Sequence, residues 1–146
     1  YKKDLARIAM CYPHVYVACV NIGYNKEQYI KAIQEANNHN GPSIIIAYAP
    51  CIEHGIKTGM EHSLDDAYLA SKCGYFLTFR RHPINGFTLD SKKVDFDKYE
   101  EFLNSQTRYS MLNKVNKEEA EELLKQNKEN AIEKYEYYSS LQKVND

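Results

Sequence analysis

Residues 44–49 read Ile-Ile-Ile-Ala-Tyr-Ala, with Gly41-Pro42 shortly before them and Pro50 directly after. Three β-branched residues in a row, bounded by residues that interrupt regular structure, spell a short strand. No charged residue breaks the run, so the strand is expected to be buried on both faces, as in a sheet covered by helices. Cys51 follows Pro50 at once. Open α/β sheets gather ligands outside the carboxyl ends of their strands, so Cys51 stands where chemistry is expected in such a fold. Gly55 and Gly59 leave the backbone beyond it unusually free.

The preceding stretch has the form that a parallel neighbour requires. Asp4 opens a short helix, with Leu5, Ile8 and Ala9 at helical spacing, and Tyr12-Pro13 ends it. His14 to Val20 (HVYVACV) is a second apolar strand. Asn25 then caps a helix with Gln28 as capping-box partner, and Tyr29, Ile33 and Ala36 mark its buried stripe, widened by Ile30 and Ala32. Strand, helix, strand at this spacing is a βαβ unit with parallel strands.

Downstream, Ser63 with Asp66 makes another capping pattern, for a helix from about Leu64 to Cys73 that stops at Gly74. Tyr75 to Phe79 reads as a third strand, Asn85-Gly86 as a turn in a polar loop, and Phe87 to Leu89 as a short extended segment. Phe96, Tyr99, Phe102 and Leu103 form an aromatic helical stripe. Asn116 with Glu119 caps a last helix that runs to about Leu141, with Ala120, Leu123, Leu124, Ala131, Tyr135 and Tyr138 in rough period. The fold class is α/β: part of a parallel, helix-covered sheet over 1–112, then a helical C-terminal tail over 113–146. Three strands are few for an open sheet, and the pattern reads as the second half of one.

A chain of 146 residues with net charge −1 and scattered basic residues predicts neither nucleic-acid nor membrane partners. No apolar run approaches the roughly 20 residues that span a bilayer. The start, Tyr1-Lys2-Lys3-Asp4, leads into an amphipathic pattern and not an apolar core, so no signal peptide is expected. The first residue is not Met, which suits a processed product or an excised piece. The four cysteines, Cys11, Cys19, Cys51 and Cys73, contain no C-x-x-C pair and hence no self-contained zinc or ferredoxin motif. Reduced thiols and a cytoplasmic location are expected.

Four stretches together resemble a known family. HVYVACVNIG, the helix ending KAIQEA, GPSIIIAYAPCIEHGIKTGM and FTLDSK are similar, in that order, to the C-terminal end of pyruvate:ferredoxin (flavodoxin) oxidoreductases, including the forms fused to an NADP reductase. The resemblance runs from about Asp4 through Tyr138. It implies a parent enzyme, a homodimer, that oxidises pyruvate with coenzyme A to acetyl-CoA and carbon dioxide. Thiamine diphosphate held by Mg²⁺ attacks the 2-oxo group, and [4Fe–4S] clusters pass electrons to ferredoxin, flavodoxin or the fused reductase. This chain would then be the last part of the thiamine domain with the C-terminal tail, inactive by itself and packed on the remaining domains.

One position carries over: the cysteine of the A-P/T-C-I-x-x-G block, fourth ligand of the cluster nearest the thiamine, matches Cys51. The other three ligands, the diphosphate motif and the pyruvate contacts belong to earlier parts of the parent, so no catalytic residue is assigned in this chain. Where the family commonly shows G-M-G/S-K-S, this chain has Gly59-Met60-Glu61-His62-Ser63. Any cofactor contact of that turn is therefore not carried over. Two other classes remain open: a non-catalytic binding or assembly module, and a more distant thiamine-diphosphate enzyme domain.

The same residues have plainer readings. A lone cysteine after a strand usually just packs, and core packing is expected for Cys11, Cys19 and Cys73, leaving Cys51 the most exposed thiol. His54 is either a donor tuning a cluster or a polar loop residue, and His62 decorates a helix start. Arg80-Arg81-His82 could grip a phosphate or carboxylate but reads first as a solvated strand end with ion pairs to the acidic helices. Tyr135, Tyr137 and Tyr138 form either an interface patch or the dock of the last helix on its own domain.

Overall fold

The βαβ unit forms, and the other elements are arranged on it. The computed structural model describes residues 3–51, 55–57 and 59–143. Strand β1 (Tyr16–Val20) runs parallel to β2 (Ser43–Ala47), with Tyr16 opposite Ser43 and Val20 opposite Ala47. The crossover is helix α2 (Lys26–Asn38), capped by Asn25, whose side chain accepts from the Gln28 N–H at 2.9 Å. Gln28 does not complete the capping box. Its buried side chain turns inward and donates to the Cys19 carbonyl and to Asp90, which ties α2 to the sheet.

The α/β class with a parallel pair and a long C-terminal helix holds, but the sheet is mixed where a parallel half-sheet was expected. Strands β3 (Phe79–His82) and β4 (Gly86–Leu89) form an antiparallel hairpin, β3 lies antiparallel to β1, and the order is β2-β1-β3-β4. The Asn85-Gly86 turn is the cause: Gly86 at φ +81° reverses the chain at once and excludes a helical crossover. The third strand also begins at Phe79, where the sequence pattern would have ended it. Asp90 and Ser91 both donate their N–H to the Thr78 carbonyl, at 3.0 Å each, and the Ser91 hydroxyl takes the Thr78 N–H. Two residues facing one make a bulge that ends the ladder.

The burial expected of the isoleucines is corrected as well. β2 is an edge strand, and Ile44 and Ile45 are 37% and 38% exposed. β1 is the strand buried throughout. Val17 and Cys19 face a core made with Ala6 and Ala9 of α1 (Leu5–Met10), Phe79, Phe87, Leu89 and Tyr138, while Tyr16, Ala18 and Val20 face Ala32 of α2. The two-residue alternation of a strand is thus used on both faces. Leu5 and Ile8, expected inside, are exposed because α1 turns its small residues inward. On α2, Ile30 and Ile33 are exposed and Ala32 is buried.

Helix α3 (Ser63–Lys72) stops at Gly74, φ +85°, as expected. Its start differs: a 3₁₀ turn over Met60–His62 precedes it, Ser63 makes no cap, and Asp66 is buried. The aromatic stripe forms α4 (Tyr99–Ser105), which packs Tyr99, Phe102 and Leu103 against Ala70, Cys73 and Ala131. Helix α5 (Thr107–Val115), whose residues show little apolar period, was not legible beforehand.

Helix α6 (Lys117–Lys143) returns across the sheet. Tyr138, fully buried, stacks on Phe79 and Phe87 with ring centres 4.4 and 5.7 Å away, and its hydroxyl donates to Asp4 at 2.8 Å. The tyrosines therefore dock this helix on its own domain. Among the described residues no helix is long and apolar enough to cross a membrane.

Candidate functional site

The carboxyl ends of the parallel pair meet the start of α3 and the junction between α4 and α5. The Tyr48 N–H extends the ladder by one bond, to the Val20 carbonyl at 2.9 Å, before Pro50 ends it. Cys51 follows as a half-buried free thiol. On the neighbouring strand end, Asn21 is fully buried and pins α3: its amide donates to the Ala67 carbonyl and the Ser71 hydroxyl, both at 2.7 Å. Its side-chain oxygen accepts from Gly23 N–H at 3.1 Å. A Cβ on Gly23 would stand 2.7 Å from that of Ala67, so only glycine lets α3 sit this close.

Among the described residues, Asp66 is the one buried carboxylate here. Gln106 donates its side-chain amide to Oδ1 in a short hydrogen bond, and the Ser105 hydroxyl donates to the same oxygen at 3.4 Å. Oδ2 is buried and accepts no hydrogen bond among the described residues. Burial raises the Asp66 pKa above the usual carboxylate range, against the opposing pull of Gln106, Ser105 and Tyr48. Burial and the negative charge of Asp66 likewise push the Tyr48 hydroxyl up. The α4–α5 junction in turn holds the chain beyond Cys51. Thr107 N–H donates to the Gly55 carbonyl at 2.8 Å, Lys57 N–H to Ser105 at 3.2 Å, and Ile56 bridges Gln106.

The chain is 43% identical, over 96% of its length, to the pyruvate-flavodoxin oxidoreductase of Enterobacter agglomerans. Over the same share it is 40% identical to the pyruvate:ferredoxin oxidoreductase of Moorella thermoacetica and 39% to the mitochondrial pyruvate dehydrogenase (NADP(+)) of Euglena gracilis. The chain is homologous to one segment of the pyruvate oxidoreductases. It spans 12% of the length of the first two relatives and 8% of the third. No protein-family model matches it.

Against this pyruvate oxidoreductase background, the candidate residues separate. His54 lies outside the described residues, as do its neighbours Ile52 and Glu53. His62 is half exposed beside Glu61 and Asp65, at 3.7 and 3.3 Å, on the first turn of α3. Cys19 and Cys73 are buried, and burial pushes their thiols up to about 12 and about 11. Cys11 corrects the sequence expectation. It is exposed, because α1 ends before it and its thiol only reaches back to the Arg7 carbonyl at 3.4 Å. Exposure alone therefore does not single out Cys51; its place at the strand ends does.

Arg80 to His82 grip the fold itself. Arg80 donates to both oxygens of Asp90 at 3.0 Å and to Glu35 of α2 at 2.6 Å. Arg81 donates to the Pro13 and Val15 carbonyls at 2.8 Å, and His82 accepts from Ile84 and Asn85 N–H. Among the described residues no three His, Cys, Asp or Glu side chains gather as a metal site. A metal or cluster could therefore take Cys51 as a single ligand and would need the rest from elsewhere. Asp66 and Gln106 were missed as site residues. Their only sequence signal, the Ser63–Asp66 spacing, pointed to a helix cap.

Proposed function

We propose that this chain is the C-terminal segment of an enzyme that oxidises pyruvate with coenzyme A to acetyl-CoA, carbon dioxide, a proton and two electrons. The observation that carries this reading is the 37–43% identity, over 96% of the chain, to proteins named as pyruvate oxidoreductases of three kinds. The segment completes the thiamine-diphosphate domain of that enzyme, and Cys51 is a ligand of its nearest [4Fe–4S] cluster. A cluster of this type supplies one-electron transfer, and cysteine thiolates are its usual ligands. The acceptor is ferredoxin, flavodoxin or a fused reductase.

Three features support the role of the segment. Cys51 lies half-buried past the end of a parallel strand, so its thiol can reach a group held by another part of the polypeptide. The exposed outer edge of β2 carries Ile44 and Ile45, which suits a strand that has a further neighbour in the whole protein. The short span relative to the relatives leaves room for the thiamine-diphosphate motif and the other three cluster ligands elsewhere.

The test is an assay with pyruvate, coenzyme A and a viologen dye. The whole enzyme carrying this segment reduces the dye only when both substrates are present, and the 146-residue chain alone does not. Turnover by the isolated chain, or none by the whole enzyme, contradicts the proposal.

A further inference from the structure

We propose that Asp66 is a positioning residue for Cys51, a single buried carboxylate that fastens the α4–α5 junction, which in turn holds the chain just beyond the cysteine. Its functional meaning rests on the reading of Cys51 as a cluster ligand; its geometry does not. On the upstream side, Tyr48 is anchored to β1 through its N–H. On the downstream side, Gly55, Ile56 and Lys57 are held by the α4–α5 junction, through Thr107, Gln106 and Ser105. That junction is fastened to α3 by the bonds from Gln106 and Ser105 to Asp66 Oδ1. Gly55 adopts φ +67°, and a Cβ there would meet Thr107 Oγ1 at 2.7 Å, so the downstream contact is close as well as hydrogen-bonded.

The physical reason for such a strut lies in how the ligand is supplied. Ligands on one short C-x-x-C segment fix one another through the chain. A cysteine that joins a cluster from a different segment has only tertiary contacts to set its place, and groups outside the ligands orient them. An ionised acceptor gives stronger hydrogen bonds than a neutral one. Asp66 receives them from an amide and a hydroxyl, and no basic side chain pairs with it among the described residues.

The experiment uses the chain with Cys11→Ser, so that Cys51 is the accessible thiol. Labelling of Cys51 by an aromatic disulfide and amide exchange at Lys57 and Thr107 are measured in Asp66→Ala, Asp66→Asn and Gln106→Ala. Asp66→Ala and Gln106→Ala are expected to speed exchange at both amides roughly tenfold and to change the Cys51 labelling rate by several-fold. Asp66→Asn keeps an acceptor oxygen for Gln106 and recovers most of the loss. Cys73 must stay unlabelled, which separates local from global opening; if Asp66→Ala unfolds, Gln106→Ala decides. Unchanged labelling and exchange in the folded variants overturn the proposal.

In the whole enzyme, Asp66→Ala is expected to shift the electron paramagnetic resonance signal and potential of the cluster while Cys51 still ligates it. If Cys51→Ser leaves that signal untouched, the ligand reading fails and the strut stands on the labelling data. If Cys51→Ser alters it and Asp66→Ala does not, the strut has no functional role.

Discussion

Two cysteines behave differently from what their types suggest. Cys51 looks like a packing residue by type and is half open by position, while Cys11 sits in an apolar helix pattern and is exposed. Thiol reagents at neutral pH should therefore modify Cys11 and Cys51 and spare Cys19 and Cys73, whose thiols burial holds at about 12 and about 11, with almost no thiolate to react. Counting labelled sites by mass spectrometry checks this, and early labelling of Cys19 or Cys73 in the folded chain would contradict the packing described. Arg80 is ion-paired as expected but, where a solvated strand end was expected, it is largely buried, and one of its two partners, Asp90, follows β4 outside any helix. Its side chain is 11% exposed between Asp90 and Glu35, at 13% and 26%. Arg80→Ala leaves two carboxylates facing each other without their cation and should cost about 3 kcal/mol in urea unfolding, with Lys a poor rescue because it cannot make the forked contact. Cys51 was legible because Pro50 ends a recognisable strand. Asp66 was not, because a buried carboxylate bonded to a residue 40 positions away leaves no local trace.

Local signals located the elements and tertiary context assigned their burial. Asn25, Asn116 and Gly74 marked helix ends correctly, since caps act within one turn. Ile44 and Ile45 show the limit of such signals: their composition reads as a central strand, yet whether a strand is central depends on what lies beside it. In this chain the edge is open, so Ile45→Lys should leave thermal unfolding within about 0.5 kcal/mol of the parent while reducing self-association at high concentration, read by light scattering. A clear loss of stability would place Ile45 in a core that the structure does not show. The docking of α6 on α1 gives an acid-sensitive contact. Burial pushes the Asp4 carboxyl up, but Lys134, the Tyr138 hydroxyl and the Arg7 N–H outweigh it, and the pKa falls below the ordinary 3.8. A carboxyl lowered on folding adds stability above its unfolded pKa, and that stability is lost as pH falls through the folded value. Asp4→Asn should therefore flatten the acid limb of the stability profile below about pH 4. An unchanged acid limb would show that this contact does not couple to folding.

At the scale of the molecule, helices cover both faces of a mixed sheet while one edge and one set of strand ends stay open. The α/β class was readable from the βαβ pattern. The mixed sheet was not, because a four-residue hairpin strand such as Phe79–His82 carries two arginines and a histidine and looks like loop. On the proposed reading, the open edge and the half-open Cys51 share an explanation: both are surfaces that the rest of a longer oxidoreductase would cover. The most direct test is the electron paramagnetic resonance spectrum of the reduced whole enzyme with and without Cys51→Ser. A serine oxygen is a harder and poorer ligand for cluster iron. The account predicts that one cluster signal is shifted or lost, the others persist, thiamine binding survives and acetyl-CoA formation collapses. An unchanged spectrum with full turnover would show that Cys51 only packs and that this segment gives the cluster no ligand.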